Sequence, residues 1–197
     1  PEQGCKWGCF DYSQQEPRLV VHYAASTEPM CKDNSVVEIV KKFNQGNVDF
    51  HQTVADMANI SRTQAKTINL GLFYGMGKAK LQAELGLGTK EEAEDLFNQY
   101  HESVPFVKEL MSSTQNYASK SGSIGTLLGR RCRFNKWEPK AFGMHKPMEF
   151  GEAVSTYRLE HIRRAFTYKA LNKLIQGSAA DMTKKAMLDL YNEGIIP

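Results

Sequence analysis

Residues 61–75 read SRTQAKTINLGLFYG, and the organisation of the chain can be worked outward from that stretch. Ser61 followed by Gln64 is the spacing of a capping box, in which each side chain answers the other's backbone N–H at a helix start. A helix is therefore expected from Ser61 to about Tyr74, with Gly75 and Gly77 breaking it. Within it Arg62, Lys66, Leu70 and Tyr74 recur every fourth residue and line one slowly drifting face. Two cations, an apolar residue and an aromatic follow in that order. A nucleoside triphosphate has the same polarity end to end, with phosphates for the cations, a sugar against an apolar wall and a base needing a stacking platform. An Arg/Lys pair at this spacing is also ordinary on a solvent-facing helix, so the stripe alone does not decide a function.

Further helices flank it. Apolar residues at Val36, Val37, Val40 and Phe43, stopping at Gly46, predict a helix over 34–45, and a shorter one is expected over 49–59. Thr89 and Glu92 repeat the capping box for a helix at about 90–101, and Ser103 with Pro105 opens a longer one ending near Gly122. Ile124 to Leu128 and Cys132 to Phe134 flank Gly129 as a hairpin. A loop over 135–148, holding Pro139 and Pro147, then leads to two helices at 149–168 and 169–193. At the other end Lys6 to Ser13 reads as a short buried strand, and Pro17 suits the first turn of the helix after it, where its missing N–H costs nothing. The fold class is mainly helical α+β with few antiparallel strands. The strands bracket the helices instead of alternating with them, which argues against a doubly wound sheet.

With 197 residues, 41% apolar and 24% charged, the chain can build one compact domain or two interlocked subdomains, and it lacks the composition of a disordered segment. No apolar run approaches the roughly 18–20 residues that span a bilayer, and the first residues resemble no targeting signal. The expectation is a cytoplasmic protein with no membrane partner. Cysteines at 5, 9, 31 and 132 match neither a disulfide framework nor paired zinc knuckles, and read as reduced structural thiols. Charge is unevenly spread: 80–119 carry three basic and seven acidic residues, whereas 120–173 carry twelve basic and four acidic. The second stretch can face phosphates or simply be solvated. A start at Pro1 and a stop at Pro197 just after a helical pattern suggest a fragment.

Two more constellations carry chemistry. DYSQQEPR at 11–18 places Asp11 and Glu16 at a strand-to-helix turn, where a carboxylate can hold Mg²⁺ or merely cap the turn. NKLIQGSAAD at 172–181 puts Asn172 and Gln176 one turn apart, while Gly177, Ala179 and Ala180 permit close approach of another backbone. Amides on such a face suit base edges or sugars in a minor groove, or are packed helix polars.

Together the three segments resemble, in order, the motifs of family A (DNA polymerase I-like) DNA polymerases. DYSQQEPR is similar to that family's D-Y-S-Q-I-E-L-R, and residues 62–75 to its fingers helix, R-x3-K-x3-F/Y-x3-Y-G. LIQGSAAD at 174–181 resembles its following palm helix, and Gly129-Arg130-Arg131 falls at its G-R-R turn. The resemblance covers nearly the whole chain, and the divergent connector at 132–168 suggests a phage-type or organelle-type branch.

The resemblance implies fingers helices inserted in part of a palm: palm at 1–30, fingers at 31–148 and palm again at 149–197. It implies template-directed DNA synthesis, with nucleotidyl transfer from a dNTP to a primer 3′-OH by two-metal catalysis. Asp11 and the carbonyl of Tyr12 would bind two Mg²⁺ ions, and Glu16 would exclude a ribose 2′-hydroxyl. His51, Arg62 and Lys66 would bind the triphosphate, Lys66 also assisting the pyrophosphate leaving group. Leu70 and Tyr74 would adjoin the nucleotide and template base, while Arg130, Asn172 and Gln176 would touch primer-template DNA. A processivity factor could accompany the full-length protein, in the host cytoplasm if the gene is viral.

The sequence departs from the pattern at named places. Leu70 stands where most relatives have Phe or Tyr, which predicts slow incorporation and strong rejection of dideoxynucleotides. Gln15 and Pro17 replace Ile and Leu, and Tyr168 stands where Arg is common. The family's H-D-E motif, with the second metal-binding Asp, is expected just past Pro197, so the fragment alone is expected to be inactive. Two rival readings exist. GMGK at 75–78 is no phosphate loop, because its glycine spacing, the Ala79 after Lys78 and its place after a helix are all wrong. A non-catalytic helical nucleic-acid-binding module would use the basic stretch equally well but needs no Asp11.

Overall fold

Helix ends carry much of this fold's local instruction. In the computed structural model, which describes residues 4, 6, 8–28, 30–46, 48–73, 76, 78–141 and 143–195, leaving aside the side chains at 31, 72, 73 and 78, helix α1 spans Gln15–Ala25. Pro17 is buried in its first turn, where a backbone N–H would have no intrahelical partner. Asp33 caps α2 (Asn34–Asn44), accepting from the N–H groups of Ser35 and Val36. Asp49 does the same for α3 (Phe50–Ala58) through His51 and Gln52. Both expected capping boxes form. Ser61 and Gln64 bond reciprocally at 3.2 and 2.9 Å ahead of α4 (Arg62–Phe73), and Thr89 with Glu92 opens α6 (Lys90–Ser103). Between them lies α5 (Lys78–Leu85), a helix that the sequence reading did not anticipate. Helix α7 (Pro105–Ser121) ends at Gly122, whose φ of 76° favours glycine; the Arg164 guanidinium packs 2.8 Å from where a Cβ would sit.

The hairpin forms as β1 (Ser123–Gly125) paired antiparallel with β2 (Arg131–Arg133), Ile124 opposite Cys132. Beyond it the structure corrects two expectations. The loop over 135–148 contains a strand, β3 (Trp137–Pro139). The helix expected over 149–168 exists only as α8 (Phe150–Thr156); a 3₁₀ turn at Leu159–His161 and strand β4 (Ile162–Arg164) follow, with Pro139 opposite Ile162. The apolar spacing of Leu159, Ile162 and Phe166 mimics a helix, yet Leu159 and Phe166 are exposed and only Ile162 is buried. A further 3₁₀ turn, Thr167–Lys169, leads into α9 (Ala170–Asn192).

The expected strand at Lys6–Ser13 is also corrected. Its described residues are irregular and outward-facing, Phe10 being 86% exposed, and no described residue pairs with them. A strand without a neighbour leaves its backbone groups unpaired, so it has no reason to form. In α2 the buried face is Val36 and Ile39, with Val40 and Phe43 partly covered; Val37 points out.

The main core is contributed by helices from both ends of the chain: Val20, Ile39, Phe50, Val54, Ile68, Tyr100, Phe106 and Ile175 are almost fully buried in it. A smaller cluster of Ala118, Ile124, Phe134, Ala170 and Leu174 seats the hairpin on α7 and α9. Helix α1 packs on α2, α9 and α7, so the acidic turn at its N-terminus is mounted on this framework.

Candidate nucleotide and nucleic-acid site

The turn at Asp11–Gln14 is pinned from two sides. Gln14 adopts a left-handed conformation, φ 54°, costly for a residue with a Cβ. Two hydrogen bonds hold it there: its Nε2 donates to the carbonyl of Val48, and its Oε1 accepts from Phe50 N–H at 2.7 Å. Gln15 reaches the opposite way, donating to the carbonyl of Ala179 on α9 at 3.1 Å. The replacement of the family's Ile by Gln15 thus gives the turn a tether to α9.

Asp49 lies between the two residues that Gln14 grips. One of its oxygens caps α3, and the other accepts from Arg62 Nε and Nη2 at 2.8 and 2.7 Å. Burial would raise the Asp49 carboxyl, but Arg62 and the backbone N–H groups of Gln52 and His51 outweigh it and hold it below the usual carboxylate range. Arg62 and Lys66 are exposed on α4 and Leu70 is half-buried, while Ala65, Ile68 and Asn69 on the other face are buried. Tyr74 lies outside the described residues. His51 is half-buried on α3, its imidazolium disfavoured first by burial, then favoured by Asp49 and disfavoured by Arg62 and Lys66. These electrostatic couplings gather His51, Asp49, Arg62 and Lys66 into one cluster.

Asp11 and Tyr12 are exposed at the turn, and Glu16 is half-buried in the first turn of α1. Among the described residues no group of three or more His, Cys, Asp or Glu side chains is placed to hold a metal ion. Beside the turn a cleft of about 480 Å³ is lined by Tyr12, Gln15, Arg18, His22, Leu127 and Met182.

A second group forms where the β1–β2 turn lies on α9. Arg130 donates from Nε and Nη2 to Asp181, both at 2.8 Å, and from Nη2 to the carbonyl of Gly177 at 2.9 Å. Thr126 donates its hydroxyl to the other oxygen of Asp181, and Ser178 accepts from Leu127 N–H at 3.0 Å while bonding Tyr23 at 2.7 Å. The Asp181 carboxyl is held below the usual range, chiefly by Thr126 and then by Arg130. A Cβ at Gly177 would meet Thr126 Cγ2 at 2.6 Å, so the GSAAD segment does admit another element at close range. A cleft of about 260 Å³ beside it is lined by Arg130, Arg131, Lys173, Gln176, Gly177 and Thr126. Asn172 is half-buried on α9 and does not line that cleft.

A family model described as DNA polymerase family A matches residues 1–194. The chain belongs to DNA polymerase family A. Similar proteins include a DNA-directed DNA polymerase of Pseudomonas phage M6, 35% identical over 99% of this chain and 32% of the relative. A DNA polymerase I of Borreliella burgdorferi is 33% identical over 98% of this chain and 19% of the relative. The chain thus spans a third or less of their length. Among solved structures, the POL domain of Pol1 from M. smegmatis, in complex with DNA primer-template and dNTP, aligns with a TM-score of 0.65. It is 29% identical, over 93% of this chain and 30% of that one.

Sequence reasoning assigned no role to four residues that hold these two groups together. Asp49 carried a signal, since an Asp immediately before a helix is a cap. Gln14 and Asp181 act across 36 and 51 residues, on Phe50 and Arg130, and no local spacing marks them. Asn69 hides among the helix-core positions of α4.

Proposed function

We propose that this chain carries the nucleotide-binding and first metal-binding part of a DNA-directed DNA polymerase, which adds dNTPs to a primer 3′-OH under template direction. The observation that carries the proposal is the frame Gln14–Asp49–Arg62. It ties the Asp11–Glu16 turn to the helix face bearing Arg62 and Lys66 through a single helix N-terminus. A module that only bound nucleic acid would have no use for carboxylates and cations held on one frame.

On this reading residues 1–30 and 149–197 belong to a palm and 31–148 to fingers, working in the cytoplasm, the host's for a viral gene. Arg62, with two N–H groups committed to Asp49, offers the rest of its fork to triphosphate oxygens; Lys66 places a mobile point charge one turn away. His51 adds a neutral donor, and Lys66 protonates or screens the pyrophosphate as it leaves. Glu16 lies under the sugar and selects deoxynucleotides, Leu70 walls it and Tyr74 meets the template base. Arg130, Asn172 and Gln176 follow the duplex beside the primer end.

The donor set at the turn fits Mg²⁺ in part: an exposed carboxylate and the Tyr12 carbonyl are hard oxygen ligands, and Mg²⁺ keeps several sites for water and phosphate. Two such ions would lower the pKa of the primer hydroxyl and neutralise the triphosphate. A second carboxylate is required beyond Asp11.

The test is primer extension by the full-length polypeptide in Mg²⁺, beside Asp11→Ala and Lys66→Ala. Extension should be abolished by the first and slowed about 10²- to 10³-fold by the second. Extension that ignores Asp11→Ala, with DNA binding intact, would favour the non-catalytic nucleic-acid-binding module.

A further inference from the structure

The ring nitrogens of His51 are chemically distinct, and the structure contains the groups that decide which of them bears hydrogen. Tyr100, on α6, is fully buried and its hydroxyl lies 2.5 Å from Asn69 Oδ1. Asn69 is itself fully buried in α4, and its Nδ2 lies 3.1 Å from His51 Nδ1. The three side chains form one line from the core to the cluster of Asp49, Arg62 and Lys66.

Two hydrogen-bond patterns could run along that line. In one, Tyr100 donates to Oδ1 and Nδ2 donates to an unprotonated Nδ1. In the other the amide is turned over, Nδ2 donates to the Tyr100 oxygen and Oδ1 accepts from Nδ1–H. The second strands the Tyr100 hydroxyl hydrogen, because among the described residues Tyr100 has no acceptor other than Asn69. An undonated hydroxyl in a dry core costs about 1–3 kcal/mol, so the first pattern prevails.

We infer that Tyr100 and Asn69 are positioning residues that hold His51 as the Nε2–H tautomer, with a fixed hydrogen-bond donor on the nitrogen away from Asn69, suited to a phosphate oxygen of a nucleoside triphosphate. Only its use on a triphosphate rests on the reading of the site as nucleotide-binding. The arrangement offers a donor without adding a third full positive charge beside Arg62 and Lys66. The low proton affinity of the ring, set first by its burial, agrees with this.

The experiment is long-range ¹H–¹⁵N correlation of the histidine rings in the ¹⁵N-labelled full chain, with His51 assigned by the loss of its signals in His51→Gln. Native His51 should show a protonated Nε2 and an unprotonated Nδ1. Asn69→Asp replaces the donor by an acceptor of the same shape and should move the proton to Nδ1. Tyr100→Phe frees the amide to turn and should give a mixture. A native ring protonated on Nδ1, or an Asn69→Asp chain that folds with its tautomer unchanged, overturns the inference. Should Asn69→Asp fail to fold, the native ring and Tyr100→Phe decide. Adding dATP should then shift the Nε2 signals; a ring with the stated tautomer that ignores dATP leaves the relay standing and defeats the triphosphate reading.

Discussion

Asp181 is 7% exposed, yet it is covered by its own partners, Thr126 and Arg130, rather than sunk among apolar side chains. Its carboxyl is lowered, so its stabilising contribution is fully present above the unfolded value of about 3.9 and is lost as pH falls through the folded one. Asp181→Asn should therefore cost about 1–2 kcal/mol at neutral pH, a figure reduced because solvent reaches the half-exposed Arg130. It should also flatten the acid limb of the stability curve. Urea melts from pH 7 to 3 measure both, and parallel curves for the two proteins would contradict the assignment. Leu70 is half-buried on the face that bears Arg62 and Lys66, and on the proposed reading its aliphatic side chain offers the sugar neither a ring nor a hydroxyl. In the full-length enzyme Leu70→Tyr should raise the efficiency of dideoxynucleotide relative to deoxynucleotide incorporation by about tenfold or more. Competition assays with one ddNTP against its dNTP read that ratio directly; no change would remove Leu70 from the sugar site.

Among elements, the contact between α9 and the β1–β2 turn depends on Gly177. Alanine would gain about 1 kcal/mol of helix propensity, but its Cβ would press on Thr126 Cγ2, whose hydroxyl is bonded to Asp181 and cannot swing away freely. Gly177→Ala should be destabilising by about 1–2 kcal/mol, and Thr126→Ser, which removes the obstructing methyl, should restore the loss in the double variant. Thermal denaturation of the four proteins closes the cycle, and equal effects of Gly177→Ala with and without Thr126 would refute the contact. This contact also marks where the sequence was legible. Gly177, Ala179 and Ala180 announce a close neighbour, and the capping boxes at Ser61 and Thr89 announce helix starts, because a few adjacent residues contain the whole instruction. The region from 135 to 168 was misread because its strands draw their hydrogen bonds from each other across 25 residues, Glu138 opposite Arg163, and neither is long enough to show alternation. The segment Lys6–Ser13 was misread for the converse reason: a strand-like sequence is not a strand until a partner exists.

At the scale of the whole molecule, charge counted along the sequence overstates the charge available to a ligand. Of the twelve cations in 120–173, Arg130, Lys136 and Arg163 are paired with Asp181, Glu149 and Glu138. Arg164 lies over Trp137 and Lys169 near Phe166, and Lys140 donates to the carbonyl of Glu160. A guanidinium already paired with a carboxylate can still donate to a phosphate but releases little counterion, whereas each free cation that meets one releases a counterion, with a slope of about −0.9 in log K against log salt. Arg131 and Lys173 line the cleft beside α9 and have no carboxylate partner among the described residues, whereas Arg130 in the same cleft does. Arg131→Ala and Lys173→Ala should thus each flatten the salt dependence of primer-template binding by about one unit, uniformly across sequences. Arg130→Ala should change that slope by clearly less than one unit while lowering stability, since it leaves Asp181 without its cation. Binding isotherms at four salt concentrations separate the three variants. Equal slope changes for all three would mean that the Arg130–Asp181 pair opens on DNA, and unchanged slopes for Arg131→Ala and Lys173→Ala would remove this cleft from the duplex path.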